Sequence, residues 1–301
     1  MSARRLREKA RKLWTHLRIG VRKARHGLRM AWAHTWPHLL LVVASIIAIY
    51  PVLWVLKTAL SPGQSLSPDP SPFPDTITTE HFEEVLGTPS FWREALNSFL
   101  VSAATTVLGL LCATTAAYAF SRFRFRGRQT LLQGFMVTQL FPSVVMMIPL
   151  YILMNAAGLL NSLMGLVIVY ATTAIPFATW TLKGHFDTLP RDIEEAAIID
   201  GASRWQVFWR IVLPLARPAL AVTALYAFMT AWNEYVLAAT FLTSEDLYTL
   251  PVALKRFVGE HDTLWGSFAA GAIATSLPVM ALFTYLQRHL VGGLTAGGVK
   301  G

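Results

Sequence analysis

The chain has one cysteine, Cys112, inside an apolar run, so no intramolecular disulfide can form and no oxidising compartment is implied. Charge is sparse: only 14% of the 301 residues are Asp, Glu, Lys or Arg. No Gly-Lys dipeptide occurs, which removes the Gly-x-x-x-x-Gly-Lys-[Ser/Thr] phosphate loop and an ATPase of that type. There is no His-Glu-x-x-His and no cysteine cluster. His34 and His38 straddle Pro37, a poor frame for a metal. Gly292-Gly293 and Gly297-Gly298 lack the strand-to-helix context of a phosphate loop. Spacing supports no nucleophile–base pair, so covalent chemistry is not expected.

Apolar residues are abundant: 54% of the chain is hydrophobic, and mean hydropathy is +0.46. That composition indicates an all-α polytopic membrane protein. Six apolar segments, at 38–60, 94–120, 130–153, 163–183, 218–242 and 265–287, each come near the roughly 20 residues that a bilayer requires. Residues 1–37 precede them as a basic arm. Leu6, Ala10, Leu13, Leu17, Val21, Ala24, Leu28 and Ala31 recur at spacings of three and four there, giving an amphipathic helix suited to an anionic leaflet. The arm is too long for a cleavable signal, and the apolar run behind it is of spanning length.

The net charge of +9 is distributed as membrane topology, not as a nucleic-acid footprint. Eleven Lys/Arg lie in the arm, four in 121–129, five in 183–217 and two from 288 onward. The alternate loops hold Arg93, Lys255 and Arg256, and Lys57 lies near the end of the first span. The positive-inside bias therefore predicts cytoplasmic termini and a cytoplasmic 184–217 loop, with 61–93 and 243–264 outside. The tail is 288–301.

Within the spans, Gly109, Ala113 and Ala117, and Gly266, Ala270 and Ala274, form small-xxx-small faces for close helix packing. Pro51, Pro142, Pro149, Pro176 and Pro278 predict bends. Glu234, beside Asn233, is the one carboxylate in the interior of a span. A carboxylate there is costly and marks a functional candidate. It reads as polar lining of a pathway near the outer end of span five, with proton coupling as the alternative.

The 184–217 loop carries the most specific pattern. Pro190 suits a first helical turn, and Asp192, Glu194 and Glu195 suit its positive dipole end. Ile193, Ala196, Ala197 and Asp200 share a helical face. Gly201 is the expected left-handed stop. Ser203 with Gln206 predicts a capping box opening a second helix, which Pro214 is expected to close. A DNA-binding helix-turn-helix has a similar outline, but tight tethering between spans and few basic side chains argue against it.

Glu195-Ala196-Ala197-x₃-Gly201-x₉-Ile211-x-Leu213-Pro214 resembles in full the cytoplasmic signature of ABC importer permease subunits. The end of the chain, Gly293 to Gly301, is similar to the tail of maltose/maltodextrin permeases of the MalG type. The resemblance runs from the first span to the last residue and leaves out the basic arm. It implies an ABC type I importer permease fold with six transmembrane helices in a bacterial inner membrane. It also implies that 190–214 is a coupling helix docking into an ATPase subunit through Glu194, Glu195, Ala196, Ala197, Asp200, Gly201, Ser203, Leu213 and Pro214. By the same resemblance Thr295, Gly297, Gly298, Val299, Lys300 and Gly301 contact the ATPases, and 243–264 meets a sugar-binding protein. The implied partners are an ATPase dimer, a second permease of the MalF type and a periplasmic or lipid-anchored binding protein, with maltose or maltodextrin as cargo and another sugar or oligosaccharide as the alternative within the same class. No cofactor is expected on this chain, and ATP and Mg would be held by the ATPase subunits. An ion-coupled secondary transporter would need paired intramembrane charges and an internal repeat, and neither is evident.

Overall fold

A computed structural model describes residues 35–66, 69–259 and 262–297; the arm to residue 34 and positions 298–301 lie outside this range. Its regular structure is helical, and an isolated antiparallel bridge joins Val258 and Thr263.

Two compact units are present. In the smaller, formed by residues up to Lys57 with Asp69–Asp75, helix α1 (Thr35–Leu60) presents exposed Leu39, Leu40, Leu41, Ile46 and Ile47. Lys57, the cation that departs from the charge pattern, is buried. Its Nζ donates to Asp69 Oδ2 at 3.1 Å, the Asp69 carbonyl at 3.0 Å and the Ser71 carbonyl at 2.8 Å. It also lies over the Trp54 ring. The Ser71 N–H, and after it the Lys57 ammonium, hold the Asp69 carboxyl below the usual carboxylate range. A lysine neutralised so locally carries little topological weight.

The larger unit, Thr58–Pro68 with Thr76–Gly301, opens with the short helix α2 (Glu80–Gly87) and the long α3 (Phe91–Arg122). Then come α4 (Arg128–Thr138), α5 (Ser143–Ala156) and α6 (Leu163–Thr188). Packing is most extensive between α3 and α6. Between the larger Val101 and Phe120, the buried residues of α3 are small: Ser102, Thr105, Gly109, Ala113, Thr114 and Ala117. A Cβ on Gly109 would lie 3.8 Å from that of Ala174, so the two backbones approach as the small-residue pattern predicts.

The chain continues as α7 (Arg191–Ile199), α8 (Arg204–Val207), a π-helical turn Phe208–Val212, and α9 (Leu213–Leu215). Next are α10 (Arg217–Trp232), α11 (Val236–Phe241), the single turn α12 (Leu250–Ala253) and the long α13 (Trp265–Gly297). The C-terminal ends of α3 and α6 lie together with α7; the N-terminal end of α3 meets 246–256. The two basic loops therefore share one end of this unit, here called the basic end, and the acidic 243–264 loop lies at the other.

The six apolar segments are all helical, but two of them are interrupted, so the six-span count is not matched helix for helix. Among the described residues four helices are long and apolar enough to cross a membrane: α1, α3, α6 and α13 as far as Gln287. A fifth candidate is a pair bent by 78°, Arg204–Leu215 with Arg217–Trp232. The segment at 130–153 is two helices, broken between α4 and α5. Pro142 there is extended (φ −58°, ψ 131°), and proline disfavours helical geometry at Phe141 before it. The segment at 218–242 stops at Trp232 and resumes at Val236. Pro149, Pro176 and Pro278 instead lie within continuous helices.

The small face of α13 also has an unexpected neighbour. A Cβ on Gly266 would collide with the buried ring of His81 from α2. That ring is fixed by Ser61 O at 3.0 Å from Nε2 and by Gln64 Nε2 at 3.2 Å from Nδ1. Ser267 Oγ accepts from Gln64 at 2.7 Å and donates to Glu84 Oε2 at 2.6 Å, closing the network. Gly266→Ala is expected to lower stability by about 1–3 kcal/mol through overpacking. Gly134→Ala, on a helix with open space around the position, should raise the melting temperature or leave it unchanged. Thermal unfolding of the detergent-solubilised protein separates the two; equal behaviour would refute the steric argument.

Candidate coupling site

The 190–214 segment is built by local rules. Arg191–Ile199 begins behind Pro190, whose missing N–H costs nothing at a helix start. It ends in a Schellman motif: Ala202 N–H donates to Ala197 O at 2.9 Å, and Gly201 N–H to Ile198 O at 3.0 Å. Gly201 has φ +89°, the left-handed conformation this motif requires. The capping box is present: Ser203 Oγ accepts from Gln206 N–H at 3.3 Å, while Gln206 Oε1 accepts from Ser203 N–H at 2.8 Å. Two helices with three fixed joints make a stiff unit.

Pro214 does not close the second helix. It sits in α9 just beyond the π turn, whose widened Phe208–Val212 backbone carries the chain past the proline. The break falls at Ala216 (φ −88°, ψ 5°), where the path bends by 78° into α10. Pro218 in the next turn has no N–H to continue the ladder.

Glu194 and Glu195 point to different surroundings. Glu195, Ala196 and Asp200 are exposed, Ala197 is half-buried against the apolar cluster at this end, and Ser203 caps from an exposed position. Leu213 and Pro214 are half-buried. Glu194, expected on the docking surface, is turned inward instead. Its Oε1 accepts from Arg122 Nε at 2.6 Å and its Oε2 from the Tyr118 hydroxyl at 2.9 Å. The Arg122 and Glu194 side chains are only 8% and 11% exposed. Arg122 also donates to Ser121 Oγ and Leu189 O, and Arg191 donates to Ser121 O. Ser121 Oγ donates to Asp187 of α6 at 2.7 Å. Helix α7 is thus knotted to the ends of both α3 and α6.

The outer face of the segment is apolar in a way the motif alone does not announce. Ile199 is 86% exposed and Trp205 65% exposed, with Ile193, Ile198 and Trp209 also exposed. The Trp205 and Trp209 rings meet edge-on at 5.4 Å. Two tryptophans and three isoleucines thus stand exposed within seventeen residues of one segment, a concentration of apolar surface larger than scattered surface side chains account for. The sequence signal was there: tryptophan at 205 and 209, four apart, on a short polar-flanked helix.

At the acidic end, Glu234 is spent on backbone. Its carboxylate accepts from Leu237 N–H at 3.0 Å, Ala238 N–H at 3.1 Å and the Tyr170 hydroxyl at 3.0 Å. It caps α11 and so stabilises the break after Trp232, with helix-dipole support. Asn233 is exposed and donates to Met229 O at 2.8 Å. A cavity of about 460 Å³ opens beside this break, lined in part by Glu94, Tyr235, Glu245, Tyr248, Lys255 and Arg256. Neither Asn233 nor Glu234 lines it. In the tail, the α13 helix runs through Thr295 to Gly297; Gly298, Val299, Lys300 and Gly301 lie outside the described residues.

Membrane-length helices carrying a stiff, apolar-faced segment at one end have the fold of ABC type I importer permeases. The structure matches a chain from a bacterial ABC transporter involved in the import of the acidic polysaccharide alginate. The TM-score is 0.72 and the identity 26%, covering 84% of this chain and 94% of that one. Residues 105–295 match the family described as binding-protein-dependent transport system inner membrane component, and the chain belongs to that family. The diacetylchitobiose uptake system permease protein DasC of Streptomyces coelicolor is 38% identical over 274 residues, 91% of this chain and 99% of that protein. The maltose/maltodextrin transport system permease protein MalG of Yersinia pestis is 37% identical over 282 residues, 88% of this chain and 92% of that protein. The likeness to the MalG type is therefore not specific, which corrects the narrower reading of the tail.

Proposed function

We propose that this chain is a permease subunit of an ATP-driven, binding-protein-dependent oligosaccharide importer, working by alternating access. The observation that carries the reading is the stiff 190–214 segment with its exposed Glu195 and apolar outer face, in a chain of this family. The basic end faces the cytoplasm in this reading, as do both termini, and the acidic end meets a sugar-binding protein. Two ATPase subunits grip this coupling segment and its counterpart on a second permease. Closing the ATPases draws the segments together, and differential contact in the two states turns the spans. ATP and Mg stay with the ATPases, and the Thr295–Gly301 tail reaches toward them. Asn233 contributes to the pathway through its exposed amide, and Glu234 by holding the helix break.

Maltose or maltodextrin is supported by the resemblance of the tail; a chitobiose-type disaccharide is supported equally by the diacetylchitobiose relative. The test is uptake in proteoliposomes holding the co-purified complex, with labelled maltotriose and competing diacetylchitobiose. Uptake should require ATP and the binding protein; undiminished uptake without ATP but with an ion gradient would refute the reading. Glu195→Lys, which reverses the exposed charge without touching the Glu194 pair, should lower uptake by about tenfold or more. Wild-type uptake and ATPase co-purification by that variant would remove Glu195 from the interface.

A further inference from the structure

The ends of α3 carry more polar tethers than its packing against α6 requires. At the basic end stand the buried Arg122–Glu194 pair and the Tyr118–Glu194 hydrogen bond, reaching α7. At the acidic end Trp92 Nε1 donates to Leu86 O of α2 at 3.1 Å, and the remaining side-chain tethers run to residues 246–256. Arg93 pairs with Asp246 at 2.6 Å. Asn97 Nδ2 donates to the carbonyls of Asp246 at 2.9 Å and Tyr248 at 3.1 Å. Ser98 Oγ accepts from Leu250 N–H at 2.7 Å. Arg256 pairs with the buried Glu94 and donates to Ser90 Oγ at 2.8 Å. Apolar packing of this loop is shared with α13, through Leu250 and Phe257 against Ala269 and Ala270. Asn161 holds the loop's first residues, accepting from Thr243 and Ser244 N–H and donating to Ser244 Oγ, whereas these side-chain tethers of 246–256 run to α3 and its N-cap Ser90.

Between the two sets runs one uninterrupted helix of 32 residues without proline. At 1.5 Å per residue it is about 48 Å long. Its buried residues are mostly small through the middle (Ser102, Thr105, Gly109, Ala113, Ala117), while Val101 and Tyr118 pack among α6 side chains nearer the ends. Among the described residues the Ser102 and Thr105 hydroxyls have no hydrogen-bond partner, so no side-chain hydrogen bond from these two pins the middle of the helix. A rigid rod held by an ion pair at each end transmits displacement from one end to the other.

We infer that α3 is the mechanical link between the coupling segment and the 243–257 loop, with Glu194–Arg122 and Glu94–Arg256 as its two joints. The inference rests on the permease reading and adds to it a route and four positioning residues. Movement of α7 is passed to the loop that faces the binding protein through α3, in addition to the chain connections through α6 and α10. By reciprocity, occupancy at the loop biases α7. Motion through two joints in series has a signature: breaking either joint loses the transmission, and breaking both loses nothing more.

The experiment uses the full complex in proteoliposomes and reads sugar transported per ATP hydrolysed, normalised to assembled complex. Glu194→Gln and Glu94→Gln should each lower that ratio by about tenfold, the middle of the usual range for coupling between sites. The double variant should match the single variants. Independent roles would instead multiply to about a hundredfold loss and overturn the linkage, as would a normal ratio in either single variant. A second measurement does not depend on those variants assembling. On a Cys112→Ser background, Arg122→Cys with Glu194→Cys is bridged by a short bifunctional thiol reagent. The bridged complex should keep its transport, because α3 and α7 move together at this joint; arrest on bridging overturns the inference. Absence of ATP-driven uptake by the unmodified complex would refute the permease reading itself, whereas ATP-driven uptake with multiplicative effects would refute the linkage alone.

Discussion

Arg122→Ala is expected to cost about 3–5 kcal/mol, the range for stripping one partner from a buried ion pair, and to remove most of the protein from the membrane. The reason is what it leaves behind. Glu194 would keep one hydrogen bond, from Tyr118, and a carboxylate enclosed by the ends of α3, α6 and α7 with no cation against it. Leu189 O and Ser121 Oγ would lose their guanidinium donor as well. Arg122→Met with Glu194→Leu should recover most of the stability, since two apolar side chains of similar size remove the charge and its partner together. Arg93→Ala provides the contrast. Its pair with Asp246 is 49% and 74% exposed, so screening holds its worth to about 1 kcal/mol or less. Thermal unfolding in detergent, with membrane abundance alongside, gives the order. Arg122→Ala no more harmful than Arg93→Ala would show that the pair is not structural.

The same pair shows where sequence reasoning runs out. The local devices of the 190–214 segment were all legible because their partners lie within six residues: the glycine stop, the capping box, the proline start. Which of two adjacent glutamates turns inward was not. That depends on Arg122, separated from Glu194 by 72 positions in the chain. Charge counting placed the two basic loops at one end, and the hydrogen bonds between 118–122 and 187–194 agree. Within the apolar segments, composition hides the breaks. Pro142 was visible but reads equally as a bend within a helix. The interruption after Trp232 has no glycine or proline, and it exists because Glu234 caps the next helix from the non-helical side. A carboxylate in an apolar run thus signals a backbone need as readily as a solute pathway.

Gly201 carries the other large effect, and it is felt in function. A Cβ there would meet nothing within 4 Å, so substitution is a matter of backbone conformation alone. At φ +89° a β-branched residue is a genuine outlier, costing on the order of 1–3 kcal/mol if the turn is kept. The turn need not be kept: releasing the Schellman bonds frees α7 from α8 and lets the exposed Ile199 and Trp205 surfaces drift apart. Uptake should therefore fall in the order Asn, Ala, Val, because asparagine tolerates left-handed geometry, alanine pays the Cβ penalty and valine pays it with branching. The Val variant is expected to lose about tenfold or more of its uptake while remaining in the membrane, since the α3–α7 anchor lies before the turn. Gly127, with φ +83° and equally open space, supplies the control. Gly127→Val imposes the same strain in the 121–129 loop, outside the coupling segment, and should leave transport per ATP near that of the unmodified complex. If both valine variants lose transport alike, backbone strain anywhere at the basic end is enough, and the turn at Gly201 has no special part in coupling.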